Sequence, residues 1–222
     1  MILNDLKGMV YAGDKEVAQI YHGTVPLWTG TVAVDVTTKI NIWFDNSGSM
    51  NSTLDDLQRM QSTNLKTTLL PFYNNDEEKY NSLVTVRNFN DIGSKGYENS
   101  IYLGGVDMVA GAAEDPPRNV INIMFQDEDS SPGTSNTIAR SHLQTGLNSN
   151  IGNAAIFFQI ATGTNSQYRN FRTRLVSLRG TGGVFRSQCD YNFDITPNNG
   201  NAYYAGLVDA SLLRLGLEKS EE

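Results

Sequence analysis

The sequence predicts an α/β fold, and three observations carry that prediction. Residues 39–44 (KINIWF) form a nearly continuous apolar run that breaks into Asp45, Asn46, Ser47, Gly48 and Ser49, all turn or cap formers, ahead of a helical pattern. Apolarity so little interrupted over so few residues fits a strand covered on both faces. Two further apolar runs, 120–125 and 154–160, lie on either side of a stretch, 138–148, read as helix. Strand, polar loop and helix together set one carboxylate and two hydroxyls outside the carboxyl end of a strand, where open α/β sheets keep their sites.

Taken in order, residues 1–29 hold short apolar clusters separated by glycine-containing turns, which argues for two or three small β-strands. Tyr21 and Trp28 are its anchors by size, and His22 reads as a turn residue. Residues 31–38 alternate Val32, Val34 and Val36, as a half-buried strand or an extended linker would. After the polar loop, Ser52 precedes Asp55 by three positions, a capping-box pattern for a helix carrying Leu54, Leu57 and Met60. That helix is expected to stop at or before Pro71. Residues 74–78 read as loop, 82–87 as a second core strand with Asn88–Asp91 as its exit, and Gly93 and Gly96 as part of a loop on the side of Asp45.

Helix is expected at 101–113, although Gly104, Gly105 and Gly111 lower its propensity, the paired glycines permitting close packing on the sheet. Pro116–Pro117 punctuates the entry to the 120–125 strand, and 130–137 is loop. His142 is expected on a partly exposed helix face. Residues 166–179 carry Phe171, Leu175 and Leu178 at helical spacing, with Arg169, Arg172, Arg174 and Arg179 on a solvated surface. Val184 and Phe185 begin an edge-like strand, Cys189 reads as inert, and 203–217 is a terminal helix before a charged tail.

Composition narrows the function. Of 222 residues, 24 are acidic and 17 basic, giving a formal charge of −7 without a long basic stripe, which argues against nonspecific nucleic-acid wrapping. Cys189 is the lone cysteine, so a disulfide within the chain is excluded. The first residues lack a basic segment followed by an apolar core, and no window has the apolar length of a membrane span, so translation and folding in a cytosol is expected. Length and pattern divide the chain into a small β-rich element at 1–30 and an α/β domain at 31–222.

Oxygen-only ligands suit Mg²⁺, Mn²⁺ and Ca²⁺, whereas zinc and copper sites draw on His and Cys. One loop giving a charge and two hydroxyls is too weak to hold an ion alone, so further oxygens must come from elsewhere; the plain alternative is an ordinary Asp/Ser turn. The strand, the Asp45-x-Ser47-x-Ser49 loop and the following helix resemble the metal-ion-dependent adhesion site of the von Willebrand factor type A family, a likeness spanning about residues 36–217. The resemblance implies a doubly wound, mostly parallel sheet with helices on both faces, used for binding rather than catalysis. It implies Ser47 and Ser49 as direct ligands of Mg²⁺ or Ca²⁺, Asp45 nearby, and a last position taken by an acidic residue of a partner. Ser100 matches the family's threonine loop with Ser for Thr. Asp127, after the 120–125 run, matches the distal aspartate, although Glu128 stands where the family often has Gly.

Gly8, Tyr11, Gly13, Val17, Ile20, Tyr21, Gly23, Leu27 and Trp28 make a second pattern, similar to a short β-element of tailed-phage tail, baseplate and fibre proteins. It implies a virion protein made in the host cytoplasm, present in several copies and docking to neighbouring virion proteins through residues 1–30. Three functions are weighed: a structural binding module of the particle, a host-receptor adhesin working through the metal loops, and a metal-dependent hydrolase. No His/Cys cluster and no serine with a base beside it is visible, so the enzyme reading ranks last.

Overall fold

A computed structural model gives the architecture and describes residues 10–12, 15–17, 19–22, 25–29, 38–89, 96–127, 134–150, 152–160, 189–195 and 200–220. The core is a five-stranded sheet of β5 (Lys39–Phe44), β6 (Val84–Asn88), β7 (Val120–Gln126), β8 (Ala154–Ile160) and β9 (Cys189–Ile195). Its order is β6-β5-β7-β8-β9 and every pairing is parallel. Before it come β1 (Val10–Ala12), β2 (Lys15–Val17), β3 (Gln19–His22) and β4 (Val25–Thr29), paired β1 with β2 and β3 with β4, both antiparallel. Two hairpins thus stand where two or three strands are expected, and His22 ends a strand opposite Val25.

The apolar runs form strands because both of their faces are covered. In β5 Ile40, Ile42 and Phe44 join one hydrophobic cluster, and Trp43 joins the other. The first cluster is closed by Leu57, Met60, Leu65 and Leu69 and by Tyr204, Val208 and Leu212 of α6 (Asn201–Arg214). The second is closed by Ile101 and Met108 of α4 (Gly96–Ala112) and by Ala139, Leu143 and Leu147 of α5 (Thr134–Ser149). At the centre of the first cluster Phe125 stacks on Phe158 at 4.7 Å and meets Phe44 and Tyr204 edge-on. Each such side chain contributes about 1.5–3 kcal/mol through burial.

The helix after the site departs from the expected cap. A 3₁₀ turn, Gly48–Met50, leads into α1 (Asn51–Arg59), whose N-cap is Met50 without a side-chain cap bond, so Ser52 lies inside the helix. A π turn at Met60–Asn64 joins α1 to α2 (Leu65–Leu69). The extra residue has a packing reason: Leu57, Met60, Leu65 and Leu69 are all at most 1% exposed, and a five-residue step from Met60 to Leu65 keeps both on the core. Regular α-helix ends at Leu69, before Pro71, as expected. Residues 77–78, read as loop, and 82–83, read as the start of a strand, belong instead to α3 (Glu77–Leu83), capped by Asp76, whose carboxylate accepts from the Glu78 and Lys79 amides. The following strand therefore begins at Val84. Expected elements at 166–179 and 184–185, and the linker at 31–37, lie outside the described residues.

The α4 glycines have definite neighbours. A Cβ on Gly104 would lie 2.9 Å from the Asn122 carboxamide carbon, and one on Gly105 would collide with the His142 carbonyl of α5. Close approach to the sheet and to the neighbouring helix thus outweighs helix propensity here. His142 itself is exposed and touches Tyr102, as expected of a helix-surface histidine.

Candidate functional site

Counted within the core sheet, the strand order is 2-1-3-4-5, so chain direction across the sheet reverses between β5 and β7. Their carboxyl ends meet at this switch point, the position at which open α/β sheets bind ligands. Asp45 leaves β5 there, its amide donating to Phe125 O at 2.8 Å and continuing the ladder by one rank. Asp127 leaves β7 there. Its amide donates to Asp45 Oδ2 at 3.4 Å, while the Ser47 amide donates to Asp45 Oδ1 at 2.8 Å. Both carboxylate oxygens of Asp45 are thereby fixed by backbone, and the loop is held across two strands.

The serines close the group. Ser47 Oγ and Ser49 Oγ are 3.0 Å apart, and Ser47 Oγ donates to Asp127 Oδ1 at 3.5 Å. The Met50 amide donates to Ser47 O at 3.0 Å, starting the 3₁₀ turn that sets Ser49 beside Ser47. Asp45 is buried, Ser47 and Asp127 are half-buried and Ser49 is exposed, so the group grades from sheet to solvent. Burial raises the Asp45 carboxyl from 3.8 to about 6; the Ser47 hydrogen bonds oppose this, and the Asp127 charge adds to it.

Four of the five sequence-predicted site residues, Asp45, Ser47, Ser49 and Asp127, therefore meet at one rim. Ser100 is fully buried and sits in the second turn of α4 rather than in a loop, because the helix already starts at Gly96. Gly111 packs on Arg118 and Val120 and Gly104 packs on Asn122, so α4 runs antiparallel to β7. One turn before Gly104, about 6 Å nearer the rim, Ser100 comes level with Met124.

Polar residues not anticipated from the sequence lie on the same sheet face. Asn122 Oδ1 accepts from Asn41 Nδ2 at 3.1 Å and Trp43 Nε1 at 3.2 Å, and Asn122 Nδ2 donates to Gly104 O at 3.1 Å. Asn41 Nδ2 and Lys39 Nζ also reach Asp107 of α4. This ladder fixes α4 over the sheet below the rim. Next to the site, Gln126 is fully buried, and among the described residues neither of its side-chain polar atoms is hydrogen-bonded. Its signal in the sequence was a second polar residue, after Asn122, at the end of a mostly apolar strand.

Chemically the group offers carboxylate and hydroxyl oxygens. Among the described residues no three His, Cys, Asp or Glu side chains cluster, so an ion at this rim would draw on Ser47 and Ser49 beside Asp45 and Asp127. That donor set fits a hard divalent cation and does not fit a thiolate- or imidazole-seeking metal. Among the described residues no helix is long and apolar enough to cross a membrane. Comparison with family models, curated proteins and solved structures returned no match.

Proposed function

We propose that this chain is a non-enzymatic binding module that docks to a carboxylate-bearing partner through a divalent cation, Mg²⁺ or Ca²⁺, held by Asp45, Ser47, Ser49 and Asp127. The observation that carries this reading is the convergence of those side chains at the β5/β7 switch point. Paired carboxylates at a largely buried rim repel each other, and a cation relieves that repulsion. Two carboxylates and two hydroxyls supply fewer oxygens than the roughly six or more that such an ion takes, so that an acidic group from a partner completes its shell. The doubly wound architecture of the von Willebrand factor type A family is part of the same proposal, supported by the parallel sheet and by the helices packed on each of its faces. Ser100, on α4 about level with Met124 and so two ranks below Asp45, is given no contact with the ion in this proposal.

The biological setting we propose is a tailed-phage virion, with the chain joining neighbouring tail, baseplate or head-joint proteins. It is supported by the glycine and aromatic pattern of residues 8–28 and by the hairpins within it. Thermal melting after chelation, then with added Mg²⁺ or Ca²⁺, tests the ion. The melting temperature is expected to rise with cation by mass action, and Asp45→Ala to abolish the rise. A melting temperature indifferent to both treatments would remove the cation from the account. Labelling the chain in intact particles tests the setting: a ring at a joint supports a structural role, whereas a distal tip would favour host adhesion.

A further inference from the structure

We infer that Gln126 is an additional binding residue of the cation site, its carboxamide taking a water that the cation carries into the rim. The inference rests on the cation reading above and deepens it. In the parallel ladder Phe44 pairs with Phe125, and the Asp45 amide bonds to Phe125 O. The next rank therefore sets Gln126 beside Asp45, with side chains on the same sheet face because paired residues of neighbouring strands project alike. Gln126 is 0% exposed and Asp45 is 1% exposed, so the amide forms the inner wall of the group whose outer edge is Ser49.

Among the described residues, neither Nε2 nor Oε1 of Gln126 has a hydrogen-bond partner. Among the described residues, the buried amides Asn41, Asn122 and Asn153 on this side of the sheet are all hydrogen-bonded. Burying an amide without partners is unfavourable, and a side chain that served only to fill space there would be better as Met or Leu. A carboxamide offers a donor and an acceptor at once. It can therefore accept from an ion-borne water at Oε1 while Nε2 donates toward the ionised Asp45, and it adds no charge to a site that already holds two carboxylates.

The test compares wild type with Gln126→Met and Gln126→Glu, stripped by chelator and then titrated with Ca²⁺ or Mg²⁺, by calorimetry and thermal melting. Gln126→Met is expected to keep or raise the melting temperature of the stripped protein and to weaken cation affinity by about tenfold or more. Gln126→Glu is expected to lower the stripped protein's melting temperature and to recover part of it with cation. An ordinary structural amide gives the opposite pattern: Gln126→Met melts lower when stripped and binds cation like wild type, which overturns the inference while leaving the cation site intact. If wild type itself binds neither ion, the underlying reading fails, and the inference with it.

Discussion

Asp45 combines features that are costly apart and useful together. It is buried, both of its carboxylate oxygens accept backbone amides, and Asp127 lies against it. Burial first, and then the Asp127 charge, raise its carboxyl to about 6 against the Ser47 hydrogen bonds. A folded-state value above the unfolded one means that the group's stabilising contribution is whole below pH 3.8 and is lost as pH rises through about 6. Without divalent cation, then, urea unfolding at pH 4.5 and 7.5 should show wild type losing stability relative to Asp45→Asn as pH rises. The difference should be on the order of 2–3 kcal/mol. With saturating cation the loss should shrink, since the ion favours the ionised form. A wild-type-minus-variant difference that stays flat across this range would mean that Asp45 is ionised without penalty. The Asp-x-Ser-x-Ser loop was legible because each residue is also a turn former after a buried strand. Gln126 was not, because a glutamine at a strand end says nothing of whether its amide finds a partner.

At the scale of elements, α4 owes its position to what it lacks. Gly105 faces the His142 carbonyl, and Gly146 of α5 faces Gly105 in return. Gly105→Ala should therefore destabilise by about 1–3 kcal/mol or more, measured by urea denaturation. Gly206→Ala in α6, where an added Cβ meets nothing within 4 Å, should stabilise by up to about 1 kcal/mol. Equal effects at the two positions would contradict the packing account. Asn122→Ala should cost about 2–4 kcal/mol, because it strands the buried Trp43 and Asn41 donors that Asn122 now satisfies. Strands β5, β7 and β8 could be read closely from the chain, since apolar runs covered on both faces leave a plain signature. Helix boundaries were harder. α3 was hidden because Asp76, Glu77 and Glu78 look like loop residues unless Asp76 is taken as a cap. α4 starts five residues earlier than its apolar pattern, at Gly96 instead of Ile101. The π turn left no composition signal; only the spacing of Leu57, Met60, Leu65 and Leu69 required it.

For the whole molecule, the proposal separates a sheet that carries the cation rim from an amino-terminal pair of hairpins that joins neighbours. Deleting residues 1–29 should leave the urea midpoint of the core nearly unchanged and abolish incorporation into particles. Loss of solubility on deletion would instead make the hairpins a cap on their own chain. The parallel order of the sheet explains why the rim forms at all, since it sets the carboxyl ends of β5 and β7 side by side although Asp45 and Asp127 are far apart in sequence. That convergence is the central claim, and locating an ion tests it most directly. In crystals soaked with Mn²⁺ as a stand-in for Mg²⁺, the anomalous difference map should show a single strong peak within ligand distance of Ser47 Oγ, Ser49 Oγ and a carboxylate oxygen of Asp45 or Asp127, and the peak should vanish in Asp45→Ala. A map without a peak at that rim, or with its peaks elsewhere on the surface, would contradict the account.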